Sequence, residues 1–445
     1  MTNSTPPLRR PWSRSQRAVP RVVLRPVQEF MHREASSGIV LMIAALVALT
    51  WANLDITGYD RFWHTPVELG VGSFVFRDTL VHVVNDGLMA LFFFVIGLEI
   101  KRELVVGELR DRRSAILPLS AAIGGMVVPA LLFAALVRGG DGAGGWGIPI
   151  ATDIAFALGV LALLGPRIPT QLKVLLLGIA VIDDIGAILV IALFYSGGVD
   201  LGWVLLATSG LVTVALARRV HVTSTSVYVA LGIVIWLCTR ESGLHATIAG
   251  VALGLLTPAT PFQSGDAVST AARRIADVTS DDHDDPVEDE LEWRTLARLS
   301  HEAVSPLSRA EHSLHPWTSY VVLPLFALAN VGVVLSSEAV TEALSSAAGL
   351  GIMLGLVLGK PIGIVAGAWL AVRSGVTVLP DQIRWAHVAG MGCIAGIGFT
   401  VSLFVTALAF DEGPLTEPAK IAVLVASIVS GTIGAAILRA ATRRA

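Results

Sequence analysis

Leu172–Phe194 reads LKVLLLGIAVIDDIGAILVIALF, with two adjacent carboxylates, Asp183 and Asp184, near its middle. About 20 apolar residues in a helix cross the ~30 Å hydrocarbon layer of a bilayer. One Asp at the centre of such a helix costs roughly 2.5–3.5 kcal/mol on translocon scales. Two side by side must therefore face partners, water or a cation rather than lipid. Packing does not account for so costly a pair; it implies a membrane protein that handles ions. Neighbours on a helix diverge by about 100°, so the two carboxylates cannot share one partner from one face. One can face a cation site shared with Asp153 and Thr152 while the other faces a counter-charge.

The rest of the chain has the same character. It is 54% hydrophobic and 15% charged, with a net charge of -3 and a mean hydropathy of +0.71, well to the apolar side of a soluble domain. Runs of membrane-spanning length occur at 37–54, 79–100, 114–137, 148–165, 172–195, 201–217, 225–239, 244–257, 317–336, 348–372, 385–410 and 418–440. The expectation is an all-α polytopic membrane protein with twelve transmembrane helices, the seventh and eighth short. Basic residues alternate between connections. Arg9 to Arg33, Lys101 to Arg113, Arg167 and Lys173, Arg218 and Arg219, Arg273 to Arg309, Arg373 and Arg384, and Arg439 to Arg444 fall in one set of loops. The positive-inside rule then places both termini in the cytoplasm, as an even span count requires. Cys238 and Cys393 lie inside apolar runs and read as buried thiols, not as a disulfide or metal pair. No P-loop, dinucleotide motif or nucleic-acid patch is present, so neither nucleotide nor nucleic acid is an expected partner.

The segments divide as 1–36, a basic tail with an interfacial stretch; 37–257, spans one to eight; 258–315, a long charged linker; 316–440, spans nine to twelve; and 441–445, a short tail. Within the first block of spans, residues 67–77 alternate apolar and small or polar residues around a Gly-rich turn. They read as a periplasmic β-hairpin or as a plain loop. The first part of the linker, with the acidic run at Asp281–Glu290, reads as disordered, and Leu291 to Leu314 as helical.

Two spans look interrupted. In the fourth, Pro149 removes a backbone donor just before the polar Thr152 and Asp153. In the eleventh, Gly390, Gly392, Gly396 and Gly398 precede Phe399-Thr400. A broken helix frees carbonyls and leaves half-helix ends facing the gap, and interrupted segments in two halves point to a transporter's midplane site. Intramembrane Gly alone more often serves helix packing; Asp153 beside it tips the reading to function. Lys360, followed by Pro361, is the one Lys deep in a span. It reads as a salt-bridge or proton-carrying partner of the carboxylates, against a snorkelling Lys near a helix end. At span ends, Glu99, Arg102 and Glu103 close the second run, and Glu311, His312 and His315 lead into the ninth. Together they form either a proton-responsive cluster at a funnel mouth or an ordinary interfacial charge belt. Metal ligation by His312 and His315 is not expected, since no second ligand pair has suitable spacing.

Six ordered stretches, Asn85–Leu104, Gly145–Gly165, Val181–Val190, Glu311–Trp317, Leu358–Ile364 and Gly396–Thr400, resemble the NhaA-type sodium/proton antiporters over about residues 27–440. The resemblance implies inverted repeats in spans three to five and ten to twelve, with the broken fourth and eleventh spans crossing near the midplane. It implies Asp184 as the central cation and proton carboxylate, with Asp153 and Thr152 beside it holding Na+ or Li+. Asp183 would pair with Lys360. Glu99, Arg102, Glu103, Glu311, His312 and His315 would form a pH-responsive cytoplasmic mouth, and the hairpin a homodimer contact. The expected activity is secondary, electrogenic, pH-regulated exchange of Na+ for H+ by alternating access in a bacterial inner membrane, with no resident cofactor. A sodium-coupled solute symporter is the nearest alternative. An intramembrane aspartyl protease also uses two buried Asp residues, but its GxGD context is absent.

Overall fold

The computed structural model describes residues 36–71, 74–140, 142–165, 167–220, 222, 224–278, 286–410 and 413–443. The basic tail, with its interfacial stretch from Val27, lies outside the described residues apart from its end at Ser36.

The chain begins with α1 (Ser36–Leu54) and a short α2 (Ile56–Trp63), whose N-cap Asp55 accepts a hydrogen bond from the Gly58 amide at 2.9 Å. Strands β1 (Pro66–Val71) and β2 (Phe74–Thr79) follow, antiparallel, in a register running from Pro66 opposite Thr79 to Val71 opposite Phe74. The hairpin reading of this connection therefore holds. Glu68 sits opposite Arg77, and the two pair at 3.0 Å.

Next come α3 (Leu80–Val105), which contains a π-helical turn at Val83–Leu88, and α4 (Arg112–Leu136). A 3-10 segment, Ala143–Ile150, leads to α5 (Ile154–Leu164). The helix α6 (Thr170–Phe194) carries the paired aspartates, followed by α7 (Leu201–Arg219), α8 (Thr225–Glu241) and α9 (Thr247–Leu256).

After the linker helices α10 (Gly265–Val278) and α11 (Pro286–Glu302) come α12 (Pro306–Trp317), a π turn, and α13 (Leu323–Asn330). The chain closes with α14 (Ser337–Ser345), α15 (Ala347–Arg373), α16 (Trp385–Ala395), α17 (Phe399–Phe410) and α18 (Thr416–Arg443).

Among the described residues, eight helices are long and apolar enough to cross a membrane, or nine if the bent pair α16–α17 counts as one span. The runs α8, α9 and α12–α13 do not reach that mark. The expectation of disorder after Pro258 is corrected over 265–278, where α10 forms, and over 286–290, where α11 has already begun. Val268, Ala271, Ala272 and Ile275 recur at helical spacing, and Ile275 is buried as α10 packs on α11. That apolar stripe outweighs the charged composition around it. The acidic run from Asp281 lies outside the described residues as far as Asp285.

Two helix crossings depend on glycine. A Cβ on Gly363 of α15 would stand 2.1 Å from the Gly124 carbonyl oxygen of α4, and one on Gly367 2.1 Å from that of Ser120. Gly250 and Gly254 of α9 meet the Ala90 and Phe94 carbonyls of α3 at 2.2 and 2.6 Å in the same sense. Both pairs are spaced four apart, one helical turn, so backbones close to contact where lipid offers no hydrophobic drive for association. The first crossing fixes α15, and with it Lys360, against the core. Around these contacts one continuous apolar core, including Phe93, Phe326 and Phe404, surrounds a small set of buried polar groups.

Candidate ion site at two broken helices

The chain leaves helical geometry at Ala151–Asp153, after Pro149, and again between Ala395 and Phe399, where α16 and α17 bend by 46°. Breaking a helix at membrane depth exposes amides and carbonyls that must find partners. Here each break supplies them to the other. The Asp153 amide donates to the Ile397 carbonyl at 2.7 Å, and the Thr152 hydroxyl reaches the Ala395 carbonyl at 2.9 Å. Ser402 Oγ donates to the Ile148 carbonyl at 2.8 Å. The two interruptions form one crossing.

Four charged side chains converge on it. Lys360 and Asp183 are both 0% exposed and form an ion pair, Nζ to Oδ2, at 2.8 Å. Lys360 also donates to the Ile150 carbonyl, the last of the 3-10 segment. The Thr152 hydroxyl approaches the same Asp183 oxygen at 2.8 Å, so its single proton is divided between Asp183 and Ala395. Asp183 Oδ1 is buried with no hydrogen-bond partner among the described residues. Asp153 is fully engaged. Its Oδ1 caps α5 by accepting from the Phe156 amide at 2.9 Å, and its Oδ2 accepts from the Thr400 amide at 3.1 Å and hydroxyl at 2.5 Å.

Asp184 differs from both. It is 5% exposed, and no described residue hydrogen-bonds its carboxylate. The charges near enough to act on it are Glu99, Asp183, Lys360 and Asp153. An isolated ion in a dry interior is expensive, so this carboxylate calls for a proton or a small cation. The structure thus joins Thr152 to Asp183 and Lys360, and Asp153 to Thr400. It does not bond either of them to Asp184. Pro149 and the Gly396–Gly398 pair sit at the breaks themselves. A Cβ on Gly396 would stand 2.3 Å from the Leu356 carbonyl oxygen, so α16 ends where only glycine fits against α15.

The second group lies where α3 ends and α12 runs alongside it. Arg102 pairs with Glu311 and lies 3.8 Å from Glu103, whose other oxygen accepts from the Glu108 amide at 3.2 Å. Glu99, one turn earlier on α3, feels Glu311, Arg102 and Glu103 on one side and acts on Asp184 on the other. His315 sits at the edge of the group. Desolvation on its crowded side pushes the imidazole below its usual value, Glu311 opposes this, and Arg102 and His312 add to it. A cavity of about 700 Å³ opens beside the group, lined by Glu103, Glu108, Arg110 and Asp111 with Val174 and Gly178 of α6.

Several polar groups carry no expectation from the linear chain. Thr400 and Ser402 tie the breaks together; their position after Gly396–Gly398, matching Thr152–Asp153 after Pro149, was the available signal. Tyr195, just past α6, accepts from the Gly147 amide at 3.1 Å and donates to the Gly144 carbonyl at 2.6 Å. Burial pushes its phenol up to about 12, so it remains a donor at any physiological pH. Asn85 and Asn330 exchange amide hydrogen bonds between α3 and α13 at 2.7 and 3.2 Å. Arg240 joins Asp78 at the stem of the hairpin to Asp86, 3.7 Å away in the π turn of α3. Pairings so distant along the chain leave no mark in local sequence.

A family model described as Na+/H+ antiporter 1 matches residues 28–438. The chain is 46% identical to the Na(+)/H(+) antiporter NhaA 2 of Sorangium cellulosum, over 96% of this chain and 92% of that one. It is 45% identical to the Na(+)/H(+) antiporter NhaA of Rhodopirellula baltica, over 93% and 94%. With the protein of that name from a Janthinobacterium species it shares 43% identity over 92% of each chain.

Proposed function

The chain belongs to the Na+/H+ antiporter 1 family, and from that premise we propose how its residues carry the exchange. It is a multi-pass membrane protein and a secondary transporter of sodium and protons, not an enzyme. Asp184 is the carrier. It binds either Na+ (or Li+) or a proton, and mutually exclusive occupancy couples the two fluxes without nucleotide. The observation that carries this reading is an Asp184 carboxylate nearly sealed from solvent and without a hydrogen-bond donor among the described residues, next to a carboxylate that already has its counter-charge.

Oxygen ligands suit a small hard cation. Asp153 and Thr152 supply them when the breaks rearrange, since Thr400 and Ala395, which now hold them together with Phe156 and Asp183, are on the opposite broken span. Asp183 and Lys360 form the structural pair that keeps a second charge available during the cycle. Alternating access moves α5 and α16–α17 relative to the helices around them, exposing Asp184 first to one side and then to the other. Exchange of one Na+ for more than one proton makes the cycle electrogenic. Glu99, Arg102, Glu103, Glu311, His312 and His315 form the cytoplasmic mouth, where proton uptake sets the pH response.

Twelve spans follow if α8, α9 and α12–α13 are counted with the nine, and the two broken spans are the counterparts in an inverted repeat. The long linker and both termini then face the cytoplasm of a bacterium, and the hairpin joins two copies outside the membrane. The test is a set of everted vesicles with a preset pH gradient. Sodium or lithium dissipates the gradient for the parent chain; no response from neutral to alkaline pH refutes the reading.

A further inference from the structure

His387 lies in the first turn of the first half of the second broken span, and nothing in the ion site uses it. It is 3% exposed. It occupies the third position of α16, where a capping box places Glu or Gln so that the side chain accepts from the N-cap amide. Here the imidazole does so: the Arg384 amide donates to His387 Nδ1 at 3.2 Å. Nδ1 must then offer its lone pair, so the ring is neutral with its proton on Nε2. Nε2 is buried without a partner among the described residues, a costly arrangement that leaves the Nδ1 contact as the one bond the ring makes.

We propose that His387 is a positioning residue for the exchange, a neutral imidazole that holds the N-terminus of α16 and lets go on protonation. A protonated ring presents N–H at Nδ1 to the Arg384 N–H, two donors face to face. Among the described residues no carboxylate hydrogen-bonds the ring. Among the described residues of α15, α18, α6 and α5, all packed against α16, no charged group acts on it; of the loop that carries Asp381 and Arg384, only Arg384 does, and it opposes a second positive charge. The far end of α16, at Ala395, is about 12 Å away at a rise of ~1.5 Å per residue. There the Ala395 carbonyl receives Thr152, and Ile397, just beyond, receives the Asp153 amide. A helix that frays or shifts at His387 carries both ion-site contacts with it. Acid therefore weakens the site through a cap, separately from the carboxylates and from the mouth group.

The proposal rests on the antiport reading, and one experiment separates the two. Full-length parent, His387→Gln and His387→Ala are reconstituted in proteoliposomes, and sodium-driven proton exchange is followed from acidic to alkaline pH. Gln keeps the acceptor and cannot titrate. His387→Gln is expected to match the parent on the alkaline side and to exceed it by about fivefold on the acid side, at pH values below the ordinary histidine range because burial and Arg384 oppose the charged ring. His387→Ala is expected to run about fivefold below the parent on the alkaline side, the factor a lost cap supplies. If the Gln variant keeps the parent's acid limb, or the Ala variant equals the parent throughout, His387 does not position the span. If the parent exchanges nothing at any pH, the antiport reading itself has failed. Thermal unfolding of each purified variant, monitored with it, distinguishes lost transport from lost fold.

Discussion

Asp183 and Asp184 differ by one position along α6 and by about 100° around it, and that rotation separates a paired carboxylate from an unpaired one. Replacing Asp184 by Asn keeps shape and volume but removes the charge that binds cation or proton. Sodium-dependent exchange in vesicles is expected to vanish while the protein remains folded; retained activity would move the carrier elsewhere. Lys360 calls for a different outcome. Removing one member of a buried ion pair strands the other and costs about 3–5 kcal/mol. Lys360→Ala is therefore expected to lower the thermal midpoint strongly, and the double variant Asp183→Asn/Lys360→Ala to recover part of the loss. A double variant no more stable than the single would mean that the Lys360 bond to Ile150, rather than the pair, dominates. His315 adds a pH effect whose sign follows from its surroundings. Its value lies below the usual one, so the folded state prefers the neutral ring. The stability this confers is complete on the alkaline side and falls as pH drops through ~6.5, the unfolded value. An NMR titration placing the His315 midpoint above that value would contradict it.

At the scale of elements, two glycine pairs set which helices can move. Gly363 and Gly124 bring the α15 and α4 backbones so close that even a methyl group has no room. Gly363→Ala should lower both thermal stability and exchange, because the clash is with backbone and cannot be relieved by a rotamer change. Gly87, in the π turn of α3, meets nothing within 4 Å. Gly87→Ala should change neither, and comparing the two midpoints checks the argument. The broken spans behave in the opposite way. Their ends are joined by hydrogen bonds, from the Asp153 amide to Ile397, from Thr152 to Ala395, from Ser402 to Ile148, and from the Thr400 amide and hydroxyl to the Asp153 carboxylate. Each bond contributes about 1 kcal/mol net, which suits elements that change partners during a cycle.

At the scale of the whole molecule, a rigid crossing of α4 with α15 stands beside a lightly fastened crossing of the two breaks, with Lys360 reaching from the first to the second. The hairpin lies outside this arrangement. It is joined to the spans through the link from Arg240 to Asp78. If the hairpin joins two copies, as proposed, deleting residues 67–77 should convert that dimer to monomers in native mass spectrometry while leaving a folded, sodium-responsive chain. A deletion variant that stays dimeric would place the interface on the helices.

Much of this was legible in the linear chain. Period and length marked the long apolar helices, alternation and a Gly-rich turn marked the hairpin, and Pro149 and Gly396–Gly398 marked the breaks. These signals are local: helix, strand and turn chemistry act within a few residues. The charged composition around Gly265–Val278 hid a helix, since a stripe of Val268, Ala271, Ala272 and Ile275 is small and needs α11 to bury it. The sequence alone also showed that two carboxylates at membrane depth need partners, because desolvation sets that requirement wherever the partners are. The resemblance already implied Lys360 for Asp183, and the two do pair; the remaining partners were decided by tertiary structure. Thr152 goes to Asp183, Asp153 to Thr400, His387 to its own helix start, and Asp184 to none of the described residues. Those assignments depend on hydrogen-bond distances between segments up to 247 residues apart, and no local pattern encodes a distance between helices.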